Sequence, residues 1–282
     1  MGRTPDPRPS PIAGQWYPGD PGRLAASVDG YIHKASLPDL PGEVIAVMAP
    51  HAGHRYSGPI AGYAFAALRG SNPDIVAIAS PMHYFTEHPL LTSAHSAYAT
   101  PLGPILIDRD ALEKLQTTLI ESLGFGLTPI RNDPEHSLEI ELPFLQRALE
   151  GEFHLLPIMV RDTSARVARG LGEALAKILK ERKAILVAST DLSHFYPQER
   201  ANELDGEILR RVESFDPDSV LRAEEEGKGF ACGRGALAAV LWAAKGLGGD
   251  HVQVLKHATS GDVTGDYSQV VGYGAAVITR SG

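Results

Sequence analysis

Three histidines recur at telling positions in this chain. His51 in APHAGHRYSG, His83 in SPMHYFTEH and His194 in STDLSHF each follow a short apolar run. Neutral imidazole is a favoured ligand for zinc, iron, copper and nickel, and two histidines with one carboxylate make the open site of non-haem iron(II) oxygenases. A single histidine in such a place is usually a loop or core residue with a satisfied hydrogen bond. Three loops of the same kind argue for a shared metal centre. His51 and His83 are the first two ligands to consider, because each lies one or two residues past a proline that stiffens the backbone; His54 and His88 come second.

Two residues compete as third ligand, Asp191 and Cys232. Cys232 lies in FACGRGALAAVLWAAKG, where the glycines allow a tight turn and the apolar pattern that follows reads as a helix. A helix amino end favours thiolate, and thiolate is a good ligand; the bland reading is a small buried cysteine beside a turn. Asp191 and His194 stand three apart in TDLSH, the spacing of one face of a helical turn, and could act as a carboxylate with a general acid/base histidine. The competing reading is an aspartate that caps the next turn. His136 in EHSLE is a further candidate to touch substrate or an oxyanion, and Arg234 could pair with an anionic substrate. HATSGDVTGDYS is polar and glycine-rich, as suits a loop.

These residues need elements to hold them. EVIAVMAP ends at His51, DIVAIASPMHY runs out at Pro81 and His83, and AILVASTDLSH carries Asp191 and His194; all three read as buried strands. FHLLPIMV and QVVGYGAAVIT are further strands. Helices are predicted after Asp20-Pro21, over SGPIAGYAFAALRG with Ser57 as cap, from Asp108 to Glu121, and over EHSLEIELPFLQRALEG with a kink or break at Pro143. Others run from Thr163 to the basic KERK, from about Glu199 to Val212, from Asp216-Pro217, and after ACGRG. Strands alternating with helices imply βαβ units: an α/β fold with a mostly parallel or mixed central sheet and helices on both faces. In such sheets ligands bind outside the carboxyl ends of the strands, where the three histidine loops fall.

The 282 residues, 43% hydrophobic and without internal repeats, fit a single domain over 1–282, with the proline-rich residues 1–12 as a flexible or surface-laid arm. A net charge of −8 argues against nucleic acid or an anionic membrane surface as partner. No apolar run approaches the roughly 20 residues of a membrane span, and the start lacks a signal-peptide core. One cysteine permits no internal disulfide, so a cytoplasmic location is expected. GLGGD follows a helix and has no strand before it, so it is no dinucleotide fingerprint.

Six strings in order, IAGQWYPGD, APHAGHRYSGPIAGYAF, EHSLEIELPFL, STDLSHF, ACGRGALAAVLWAAK and TSGDVTGDYSQVVGYGA, resemble the Memo family, known in prokaryotes as AmmeMemoRadiSam system protein B. The resemblance implies a fold similar to class III extradiol dioxygenases, which open catechol rings with iron(II) and dioxygen. It implies metal ligands at His51, His83 and Cys232, with Asp191 and His194 lining the pocket and His136 close by. It also implies a pathway shared with an AMMECR1-type protein and a radical SAM enzyme. A thiolate in the ligand set favours copper(I), zinc or ferrous iron and is itself open to oxidation, which speaks against ring cleavage. The expectation is a metal-dependent redox enzyme using iron(II) or copper, with zinc possible, His194 as acid/base and Asp191 orienting it. The contrasting expectation is a non-catalytic metal-sequestering or peptide-binding adaptor; a zinc hydrolase ranks below both.

Overall fold

Apolar runs rich in valine and isoleucine become strands, and the 3.6-residue patterns between them become helices. In the computed structural model, which describes residues 5–281, the first half runs β1 (Pro7–Arg8), α1 (Pro21–Lys34), β2 (Glu43–Ala49), α2 (His54–Ala66), β3 (Ile75–Pro81), β4 (Leu90–Ser93), β5 (Ala97–Tyr98), β6 (Ile105–Leu106), α3 (Arg109–Leu123) and β7 (Thr128–Ile130). A short 3-10 turn (Glu139–Glu141) then leads into α4 (Leu142–Ala148), β8 (His154–Val160), α5 (Ala165–Leu179), β9 (Ala184–Ser189), β10 (His194–Tyr196), α6 (Gln198–Glu213), α7 (Pro217–Glu225), α8 (Arg234–Gly246), β11 (His251–Thr259), α9 (Gly261–Thr264) and β12 (Val270–Arg280).

One mixed sheet holds the molecule together, in the order β10-β12-β2-β9-β3-β8-β4-β7, with β11 paired to β12. Its centre, β2-β9-β3-β8, is parallel, and β12 and β4 flank it antiparallel. The connection β2-α2-β3 moves one way along that order and β8-α5-β9 moves the other. Right-handed crossovers therefore place α2 and α5 on opposite faces. α8 packs on β3 and β9 with α5 outside it, and α2 packs on β2 and β12 with α1 outside it. The α5–α8 approach is close because Gly172 has no side chain: a Cβ there would stand 2.6 Å from the Ala239 carbonyl oxygen. A continuous core including Leu24, Phe65, Ile78, Leu156, Leu186 and Val240 fills both layers.

The largest differences from the sequence reading lie beside the site. Ser57 caps nothing: α2 begins three residues earlier, and the Ser57 hydroxyl donates to the Ala52 carbonyl at 2.7 Å. EHSLEIELPFLQRALEG is helical only from Glu139, with Pro143 in the first turn of α4; residues 131–138 bend instead, starting from Asn132 at φ 51°. TDLSH starts no helix, because His194 opens β10 against β12. HATSGDVTGDYS is a loop only in part: its first three residues end β11, an edge strand too polar to show the apolar pattern, and Gly261–Thr264 form the single turn of α9. The residues read as a flexible or surface-laid arm lie on the surface but are anchored: Arg8 and Ile12 are buried, and residues 1–4 lie outside the described residues. No helix among the described residues is long and apolar enough to cross a membrane.

Candidate metal centre

Three neighbouring parallel strands end at one point. β2 delivers His51, β9 delivers Asp191 and β3 delivers His83, all at carboxyl ends, and the bent loop before the Glu139 turn brings His136 over the same spot. The nitrogen ligand atoms of His51, His83 and His136 lie within 4.8 Å of one another, a spacing that can hold one metal ion. The His83 and His136 rings stack at a centroid distance of 4.9 Å and 10° between planes, and His51 stands edge-on to both at 84° and 83°. His51 is buried, His136 half-buried and His83 exposed, so the group opens to solvent on the His83 side.

Two hydrogen bonds set which nitrogens face the centre. Glu135 Oε1 accepts from His83 Nδ1 at 2.9 Å, and Glu135 Oε2 accepts from the His83 backbone N–H at 2.6 Å. The same Oε1 lies 3.4 Å from His136 Nδ1 and accepts from the backbone N–H groups of His136 and Ser137. His51 Nδ1 is 2.9 Å from the Ser189 hydroxyl, which in turn donates to the Ser137 carbonyl at 2.6 Å. With His51 Nδ1 as donor to Ser189 and His83 Nδ1 as donor to Glu135, both Nε2 lone pairs point to the centre; that of His83 has no hydrogen-bond partner among the described residues, and that of His51 faces the Cys232 thiol at 3.1 Å. Such carboxylate–histidine contacts orient metal ligands and raise their basicity.

The electrostatics suit neutral imidazoles. Burial pushes His51 well below its ordinary value, helped by the facing His136 and His83, and burial brings His136 down to about 4. Burial alone would raise the Glu135 carboxyl, but the His83 ring and the backbone N–H groups of Ser137 and His83 hold it far below the usual carboxylate range. Behind His51, burial pushes the Glu141 carboxyl well up; its Oε1 meets Ser189 at 2.8 Å and its Oε2 has no partner.

Cys232 and Asp191 border this group through His51. Cys232 Sγ stands 3.1 Å from His51 Nε2 and receives the Asp191 backbone N–H at 3.3 Å. Burial, then the nearby Asp191, push the thiol above its ordinary value, so the helix amino end expected to favour thiolate is outweighed. The Asp191 carboxylate accepts the His51 backbone N–H at 2.8 Å, which fixes the ligand-bearing turn, and burial raises its pKa to about 7. That carboxylate serves His51 rather than His194. His194 is lowered first by burial and adds to the lowering of His51, and its buried Nδ1 has no partner.

The remaining candidates fall elsewhere. His54 turns its Nε2 to the Ile140 carbonyl at 3.0 Å, His88 is exposed on its loop, and Arg234 pairs with Glu224. Sequence reasoning overlooked Glu135, Ser189 and Glu141. The signal for Glu135 was its position directly before a candidate histidine, in a segment taken for helix.

The chain matches a family model described as Memo-like protein over residues 8–277. It is 36% identical to a MEMO1 family protein of Methanopyrus kandleri, across 95% of this chain and 98% of that one. It is 35% identical to one of Nitrosopumilus maritimus, across 94% and 96%, and 34% identical to one of Thermotoga maritima, across 95% and 98%.

Proposed function

This chain belongs to the Memo-like protein family, and on that premise we propose that it is a metal-dependent redox enzyme acting on a small molecule with dioxygen as oxidant. The observation that carries this reading is the convergence of three imidazoles, two of them with Nδ1 already tied to Ser189 and Glu135, at the carboxyl edge of a parallel sheet. Such a nitrogen-rich set, with the thiol of Cys232 beside His51, suits iron(II), copper or zinc, and a redox step needs iron or copper because zinc has no second oxidation state to use.

An iron or copper ion held there would supply one-electron and dioxygen chemistry. The chain's own residues do the rest. His51, His83 and His136 hold the ion. Cys232 stands ready to join them if its proton is released, since metal binding favours thiolate. The exposed His83 side admits substrate, and Trp16, whose ring lies 4.2 Å from that of His136, offers it a flat apolar wall. His194, half-buried, takes or gives a proton. Asp191 keeps the His51 turn in place.

A second reading has one observation in its favour. Tyr84 and Phe85 directly follow His83, and Phe85 is 84% exposed, as an anchor for a partner's peptide would be. In that reading the protein keeps the ion and catalyses nothing.

The test is metal analysis of untagged protein prepared without oxygen, beside His51→Ala, followed by oxygen uptake in a substrate screen. Near-stoichiometric iron or copper, absent from the variant, together with substrate-dependent oxygen uptake, is the expected result. Metal without uptake of oxygen over a broad screen favours the binding protein; no metal after reconstitution overturns the metal centre.

A further inference from the structure

The side chain buried most unexpectedly is not at the centre. Arg8, in the proline-rich start, is 1% exposed, although the segment around it lies on the surface. Burying a guanidinium is costly unless all its donors are used, and here they are. Nε and Nη2 fork onto the two carboxylate oxygens of Asp133 at 3.0 and 2.8 Å, and Nη1 reaches Glu139 Oε2 at 2.6 Å. Nη2 also donates to two backbone carbonyls, those of Asp133 at 2.9 Å and Glu135 at 2.6 Å. The face of the guanidinium lies 5.1 Å from the Tyr98 ring centroid.

Nη1 also donates to the Pro9 carbonyl at 3.4 Å, and all the partners but Tyr98 and Pro9 belong to the stretch 133–139, which carries Glu135 and His136. Neighbours of Arg8 grip the same stretch: Ser10 and Tyr17 both donate to Glu139 Oε1, and Trp16 packs on the His136 ring. This stretch has little regular structure of its own, so its backbone needs outside partners to stay in one conformation. A lysine could supply the charge but not the planar fork that holds a carboxylate and two carbonyls at once.

We propose that Arg8 is a positioning residue for the metal centre: its guanidinium clamps the 133–139 loop and so fixes Glu135 and His136 against His83. The amino-terminal arm is then a strut of the site rather than an appendage. The proposal rests on the metal-centre reading and deepens it by naming what preorganises two of its groups.

The test uses the full chain with Trp242→Phe, which leaves Trp16 as the only one of the 2 tryptophans, and cobalt(II) as probe. Arg8→Met and Arg8→Lys are each expected to weaken cobalt binding by about tenfold or more, the range seen when partners of metal ligands are lost. When Glu135→Gln and His136→Ala are already present, Arg8→Lys is expected to cost less than about threefold, since the groups it positions are gone. Trp16 emission is expected to shift in the Arg8 variants as the stacking on His136 loosens. Equal cobalt affinity in the parent and Arg8→Lys overturns the proposal, because charge alone would then suffice. So does an equal loss in both backgrounds, the mark of a merely structural role. If Arg8→Met fails to fold, Arg8→Lys decides alone. If the parent binds no cobalt, the metal-centre reading fails, and an unchanged Trp16 emission in Arg8→Lys would separately overturn the positioning role.

Discussion

Glu135 shows what one side chain does here. Its carboxylate receives His83 twice and touches His136, so Glu135→Gln should leave the fold intact and weaken metal binding by about 10- to 100-fold, measured by titration with iron(II) or copper(I). Unchanged affinity would remove it as the orienting group. His54 gives the residue-scale pH dependence. Burial lowers its pKa to about 4, and its Nδ1 is buried without a partner. The folded value lies below that of a free imidazole, so its contribution is fully present above about pH 6.5 and is lost as pH falls towards about 4. His136, also near 4, acts in the same direction. The His54 share is about 3 kcal/mol, and His54→Leu should flatten the decline of Tm across that window in metal-free protein. A decline as steep as in the parent would show that other groups drive it.

Among the elements, the junction of β9 with α8 bears most on the site. Gly233 precedes α8, and a Cβ there would meet the Ser189 carbonyl oxygen and stand 2.7 Å from Thr190 Cβ. Gly233→Ala must therefore push the start of α8 away from β9 and move Cys232 from His51. It should cost about 1–3 kcal/mol in urea unfolding and lower copper(I) affinity if the thiol takes part. A loss of stability with unchanged copper affinity would leave the ion to the three imidazoles. The sequence anticipated both flanks of this junction, since β9 is an apolar run and α8 a long apolar helix after a glycine turn. It did not show that residues 135–138 stay outside the helix. The apolar spacing of EHSLEIELPFLQRALEG carries the helical pattern back to Glu135, but Asn132 in the left-handed region and the grip of Arg8 on the Asp133 and Glu135 carbonyls hold the start of that string out of helix.

For the whole molecule, an ion held at the proposed centre would be linked to the fold. The three histidines come from the ends of β2 and β3 and from the loop before α4, so the unfolded chain has no such site and metal binding there would stabilise the native state. At free ion a hundredfold above its Kd, the gain is about 2.7 kcal/mol. Tm should rise on adding metal to the parent and stay unchanged in His51→Ala. A rise of equal size in that variant would place the ion elsewhere. Loss of one loop ligand should leave the metal-free fold standing, since the core lies between the sheet and its helices and not in the loops.

The alternation of apolar runs with helical patterns already determined an α/β molecule with a mostly parallel or mixed sheet, and the runs ending at His51, Pro81 and Ser189 already placed histidines and an aspartate at its carboxyl edge. Periodicity and strand endings are local properties, written in adjacent residues. Only the tertiary structure decided that His136 joins His51 and His83, that Glu135 and Ser189 orient their rings, that Asp191 serves the His51 backbone, and that Arg8, about 130 residues away in sequence, holds the loop. Those choices depend on strand order and on hydrogen bonds between distant segments, and no local pattern encodes which strand ends become neighbours.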